Sequence, residues 1–342
     1  MLNTLRFRFL LIVGSTVLLI SILLILQQMK MMAPLVVNQV TLRLAVAPEL
    51  ADWVTDAARA FQNNTPGVVL QVQALPGLRA LQQWPGSAPT ALPHLWLPEA
   101  RWLADAGQAQ AFPYGRDGSS MAQTFLQWGA FQSRASVLGG LTWPTVRQAA
   151  QVRDWQTLGG TADWGRFKLV LASPAGSTQG LAALLAAAAA YHEQARLTET
   201  MVTDPAFLGD LQRILACVPG FTTLGPTPAA VLATRGSASG DVGLLTSAEW
   251  QQFSEQLNRV EPFVTQTPTL TIAFDYPLLV RQALSSSEQQ VAAAFREFLL
   301  AQAARQPLPG FSQPAPGATF IEPEPVAILA LLRWAENADL ER

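Results

Sequence analysis

Three short stretches and one return segment carry the residues of this chain that can do chemistry. Residues 173–180, Ser-Pro-Ala-Gly-Ser-Thr-Gln-Gly, lie between a strand-like run at 167–172 and an apolar helical run at 181–191. A loop so placed offers free backbone N–H groups and the positive end of a helix dipole to an acceptor-rich ligand. Ser173 opens it, Ser177 and Thr178 add hydroxyl donors, and Gly176 and Gly180 let the backbone come close to a ligand. The competing reading is that Ser177 only caps the helix. Ala47-Pro48-Glu49-Leu50 makes a second strand-to-helix turn in which Pro48 suits the first helical position. Glu49 is there either a first-turn acid that stabilises its helix or a partner for an amine, a cation or a hydroxylated solute. Trp96 and Glu99 lie on a third passage, and Thr246 and Ser247 follow the run that begins at Asp241. All four stand where open α/β sheets place ligands, at the carboxyl ends of strands. Tyr276, in Phe274-Asp275-Tyr276-Pro277, completes the set. Packing is the competing role for Trp96 and Tyr276, and a buried hydrogen-bond partner is the reading for Asp241.

The same inventory argues against catalysis. The two histidines, His94 and His192, fall in no metal-ligand spacing, and His192 at the end of its helix is expected to be exposed. The single cysteine, Cys217, excludes an internal disulfide and a cysteine-based metal site and reads as a buried small hydrophobe. There is no G-x-S-x-G elbow and no phosphate-binding G-x-x-x-x-G-K-[ST], and nothing selects a pair of carboxylates for acid–base work. The expectation is a protein that is not an enzyme and has no cofactor. With 50% hydrophobic residues, 13% charged residues and a net charge of -2, the composition gives no expectation of a nucleic-acid partner.

The elements that must position these residues follow from periodicity. Residues 40–46 alternate with period two and predict a strand; the run from Glu49 then repeats with helical spacing, with Leu50, Trp53, Val54, Ala57, Ala60 and Phe61 on one face. Asn63-Asn64-Thr65-Pro66-Gly67 stops that helix and residues 68–72 read as a strand, so a parallel α/β unit is expected. Further strands are expected at 94–97, 167–172 and 241–245, and helices at 181–191, 286–304 and 325–338. Residues 181–190 are apolar all round but too few to span a bilayer, which predicts a buried helix. Residues 9–26, by contrast, are eighteen without a charge, and Arg6 and Arg8 precede them. That pattern predicts a single transmembrane anchor with residues 1–8 in the cytoplasm and the bulk outside. A cleaved secretory signal is the alternative, fitted poorly by the following Gln-Gln-Met-Lys-Met-Met-Ala-Pro. The remaining length favours two lobes over one core.

Taken in order, six phrases resemble bacterial extracellular solute-binding proteins: Leu42-Arg-Leu-Ala-Val-Ala-Pro-Glu-Leu-Ala51, Pro93-His-Leu-Trp-Leu-Pro-Glu99, Leu169-Val-Leu-Ala-Ser-Pro-Ala-Gly-Ser-Thr-Gln-Gly-Leu-Ala182, Gly240-Asp-Val-Gly-Leu-Leu-Thr246, Phe274-Asp-Tyr-Pro277 and Ala292-Ala-Ala-Phe-Arg-Glu-Phe-Leu299. The likeness is to the type 2 periplasmic binding protein fold, in the branch with molybdate-binding-like domains and with solute-binding domains that accompany von Willebrand A domains. It implies an α/β protein of two lobes around a hinged cleft, with crossings near 141–144 and 270–276. The implied organisation is a linker at 27–39, lobe 1 at 40–141 and 270–342, and lobe 2 at 142–269, the Pro-rich passage 310–317 wrapping lobe 1. The implied ligand set is Pro48, Glu49, Trp96, Glu99, Ser173, Ser177, Thr178, Thr246 and Tyr276. The function implied is capture of a small-molecule solute for an ABC permease at the membrane; the alternative is a degenerate sensory or protein-interaction module. Relatives that bind oxyanions tend to carry a hydroxyl residue where this chain has Glu49, which speaks against molybdate or sulfate.

Overall fold

The computed structural model describes residues 39–115, 118–306, 308, 310–311 and 318–338. The membrane segment expected at 9–26 lies outside them, and among the described residues no helix is long and apolar enough to cross a membrane. In chain order the strands are β1 (Val40–Val46), β2 (Val68–Ala74), β3 (Leu95–Leu97), β4 (Ser119–Ser120), β5 (Thr124–Phe131), β6 (Leu169–Val170), β7 (Arg196–Leu197), β8 (Val242–Thr246), β9 (Phe263–Gln266), β10 (Leu270–Thr271), β11 (Ala273–Phe274), β12 (Pro277–Val280), β13 (Thr319–Phe320) and β14 (Glu322–Pro323). A first sheet runs β2-β1-β3-β12-β4 and a second runs β11-β5-β8-β6, with β9 also paired to β5. In the first sheet β1 and β3 are parallel and β12 is antiparallel to β3; in the second, β6 and β8 are parallel and β5 is antiparallel to β8.

The predicted strand-helix opening is present as β1, the helix Pro48–Asn64 and β2. Leu50, Val54, Ala57, Ala58 and Phe61 form the buried face of that helix, with Phe61 edge-on to Phe295 of the helix Ser286–Arg305. In the second sheet the helix Thr178–His192 is buried over residues 180–189, because it packs on the sheet and on the C-terminal helix Pro325–Asn337. An apolar surface on every side is the sequence such a site requires. The described residues from 41 onward make one compact unit.

The chain passes between the sheets twice. It leaves β4 at Ser120 and enters β5 at Thr124, then leaves β11 at Phe274 and enters β12 at Pro277. The two passages are bonded to each other: the Met121 N–H donates to the Tyr276 carbonyl at 3.1 Å. The crossing expected near 141–144 is therefore displaced. Thr142 instead caps the helix Trp143–Val152 through a reciprocal bond with Thr145, and Trp143 packs edge-on against Trp128 of β5. Nor does the stretch 270–342 belong wholly with the first sheet. β13 pairs with β10, β14 pairs with β7, and the C-terminal helix packs both on the helix Arg101–Ala109 and on the Thr178 helix.

Candidate functional site

Loops at the strand ends of both sheets enclose a cleft of two adjoining compartments, about 710 and 630 Å³. The first is lined from the β1, β2 and β3 ends by Pro48, Glu49, Pro76 and Glu99 and from the β6 and β8 ends by Ser173, Ser177, Thr178 and Thr246. Tyr276, on the return crossing, lines both compartments, as does Glu49. Eight of the nine residues expected at the site thus line one cavity.

Trp96 is the exception and a correction. It is fully buried in an aromatic cluster with Trp84, Phe112 and Tyr114, at centroid distances of 5.3, 5.8 and 5.4 Å. All three β3 side chains are buried, so the strand supplies core and only the residues after it reach the cleft. Gly180 is a second correction. A Cβ there would collide with the carbonyls of Ala172 and Ser173, so this glycine lets the helix close on the strand before it and not on a ligand. Ser247 lies outside the cavity lining and shares a 2.7 Å hydrogen bond with Thr124. His192 is half-buried, with Nε2 2.9 Å from the Met201 carbonyl, where exposure was expected.

Ser177 occupies the cap position of its helix but its hydroxyl makes no capping bond, and its backbone N–H donates to the Ser173 carbonyl at 2.9 Å. The Thr178 hydroxyl beside it is buried and has no hydrogen-bond partner within reach among the described residues. It lies close enough to Glu99 to favour that carboxyl's charged form. Asp241 accepts from Trp155 Nε1 at 3.0 Å and from the Lys168 N–H at 2.8 Å, and stands 3.4 Å from Arg134 Nε, well away from the lining.

Two residues absent from the sequence-derived set complete the site. Glu249, in the first turn of the helix Ser247–Val260, accepts the Ala229 N–H and the Gln179 side-chain amide, each at 2.8 Å. Gln179 also accepts the Thr246 N–H at 2.8 Å, which fixes the end of β8. Across the cleft Glu99 Oε2 accepts the Gly77 N–H at 2.8 Å, at the start of the helix Gly77–Gln83. Phe221, Phe274 and Phe311 also line the cleft, Phe311 edge-on to Tyr276 at 5.4 Å.

The electrostatics of the cleft are one-sided. Burial, with the nearby charge of Glu49, pushes the Glu99 carboxyl up to about 8. Burial pushes Glu249 up to about 7, with Glu49 again adding to the rise. Glu49 is exposed to the water of the cleft, yet the surrounding walls still hold its own carboxyl above the usual range. Burial and then Glu49 and Glu99 raise the Tyr276 phenol further. Among the described residues no group of three His, Cys, Asp or Glu is placed to hold a metal ion. Hydroxyls, carboxyls, a side-chain amide and aromatic rings on opposite walls suit reversible enclosure of a small polar molecule.

A family model for bacterial extracellular solute-binding proteins matches residues 42–309. No curated protein matches the chain in sequence. Among solved structures, an ABC transporter from Clostridium perfringens ATCC 13124 is similar at TM-score 0.58 and 10% identity, over 88% of this chain and 99% of that one. An ABC transporter solute-binding protein from Agrobacterium radiobacter K84, in complex with ribitol, is similar at TM-score 0.55 and 13% identity, over 89% of this chain and 88% of that one. A periplasmic thiamin binding protein is similar at TM-score 0.52 and 12% identity, over 87% of this chain and 94% of that one.

Proposed function

The chain belongs to the bacterial extracellular solute-binding proteins, and from that premise we propose that it captures a small solute in the cleft between its two sheets for delivery to an ABC-type permease. The observation that carries the reading is the composition of the cleft wall. Glu49 and Glu99 come from the first sheet, Ser177, Thr178 and Thr246 from the second, and Tyr276 from the passage between. Each sheet with its helices acts as one lobe. A solute touching both favours the closed arrangement, and the two short passages at 121–123 and 275–276 absorb the rotation. Residues 9–26 hold the domain at the outer face of the membrane, near its permease.

One similar structure is a complex with ribitol and another is a thiamin binding protein, so the fold serves unlike solutes and the ligand of this chain must be argued from its own residues. The test is a thermal-shift screen of the full-length chain against sugars, polyols, amino acids, amines and oxyanions. A true ligand at about one hundred times its dissociation constant stabilises the fold by about 2.7 kcal/mol. The shift should be lost in Ser177→Ala combined with Thr178→Ala. A well-folded sample indifferent to every class would refute solute capture and favour a protein-binding module.

A further inference from the structure

We propose that the solute is an organic cation, held by Glu49 between the two compartments. This rests on the solute-binding reading and narrows it to a ligand class. Three carboxyls reach the cleft from three separate elements: Glu49 from the Pro48 helix, Glu99 from the passage after β3, and Glu249 from the Ser247 helix. Among the described residues no Lys, Arg or His lines either compartment, and none of the three acids takes part in an ion pair. The cleft therefore gathers acidic side chains with no basic side chain of the protein set against them.

Two of these acids have other work. Glu99 holds the Gly77 N–H and Glu249 holds the Ala229 N–H, each at a helix start. The Glu49 carboxyl makes no hydrogen bond or ion pair with another described residue, and it is the one carboxyl present in both compartments. Phe221, Phe274, Tyr276 and Phe311 also line the two compartments, and aromatic rings attract cations. The Thr178 hydroxyl adds a second polar group: buried on the wall facing Glu99, it is close enough to favour that carboxyl's charged form and keeps a lone pair to accept from an ammonium or guanidinium N–H. A bare metal ion is disfavoured, because no described set of three ligating side chains is close enough to hold one. A neutral polyol can donate hydroxyls to these carboxyls but does not balance their charge, and an oxyanion would be repelled.

The groups that titrate against Glu99 are Glu49 and Tyr276, and Glu49 also acts on Glu249 across the cleft. A cation favours their charged forms, so binding expels protons and strengthens as pH rises. The experiment is isothermal titration calorimetry of the full-length chain with putrescine, spermidine, agmatine and choline, and with ribitol, maltose and sulfate, at pH 6 and pH 8.5. At least one cation should bind, tenfold or more tightly at the higher pH, and Glu49→Gln should weaken it tenfold or more. Binding of ribitol, maltose or sulfate with no response to the cations overturns the cation assignment and leaves solute capture standing. Equal cation affinity in Glu49→Gln also overturns it, and indifference to every probe overturns both readings.

Discussion

The side-chain amide of Gln179 donates to Glu249 at 2.8 Å, joining the first turn of one cleft helix to the first turn of another. The same side chain accepts the Thr246 N–H. Gln179→Ala removes one of the two donors to the half-buried Glu249 carboxyl and the side-chain acceptor of the Thr246 N–H at once. The expected loss is about 1–3 kcal/mol, read as a lower urea midpoint with an unchanged slope. Gln179→Glu should be worse, since it sets a second acid against Glu249.

Ligand-free stability should fall as pH rises. Glu99 titrates near 8 in the folded chain and Glu249 near 7, both above the ordinary 4.5, so between pH 4.5 and 8 the folded state keeps protons that the unfolded state has lost. Their contribution is complete below about 4.5 and disappears through that window. Melting curves of the full-length chain should shift down by several degrees from pH 5 to pH 8.5, and Glu99→Gln should flatten the trend. A rise over that range would refute the assignment of raised carboxyls.

Gly77 allows Glu99 to reach its backbone N–H. A Cβ at this position would lie 2.5 Å from Glu99 Oε2 and 2.8 Å from Leu103 Cδ1. Gly77→Ala should cost about 1–3 kcal/mol by crowding and should displace the carboxyl from the cleft wall. Thermal unfolding checks the first effect and cation titration the second.

Asp241 tests the second sheet in isolation from the cleft. It pairs with Arg134, which lies over the Trp164 ring at 3.8 Å, and it holds Trp155 and Lys168. Asp241→Ala leaves a buried guanidinium unanswered and should cost about 3–5 kcal/mol by chemical denaturation. Any residual folded protein should still bind its solute.

Much of this arrangement was legible because β1 and the helix after it follow clean periods of two and of 3.6, and the loops after strands could be read from position alone. The central strand β5 escaped notice. Thr-Phe-Leu-Gln-Trp-Gly-Ala-Phe is buried at seven of its eight positions, so it shows no alternation. Its Gly129 lies where Trp250 and Phe263 press so close that a Cβ would collide with both. Missing β5 also misplaced the first crossing. Glu249 escaped for the opposite reason: acids in a first helical turn are commonplace, and only the fold turns this one toward Glu49.

Tyr276 is both the elbow of the return passage, with its backbone at φ 41°, and a wall of both compartments. A side-chain residue seldom adopts that left-handed geometry, and here the surrounding contacts enforce it. On the binding reading, a guest that leans on this ring leans on the elbow. Occupancy then reaches the backbone as torque, with no relay of intervening side chains, and detector and actuator are one residue.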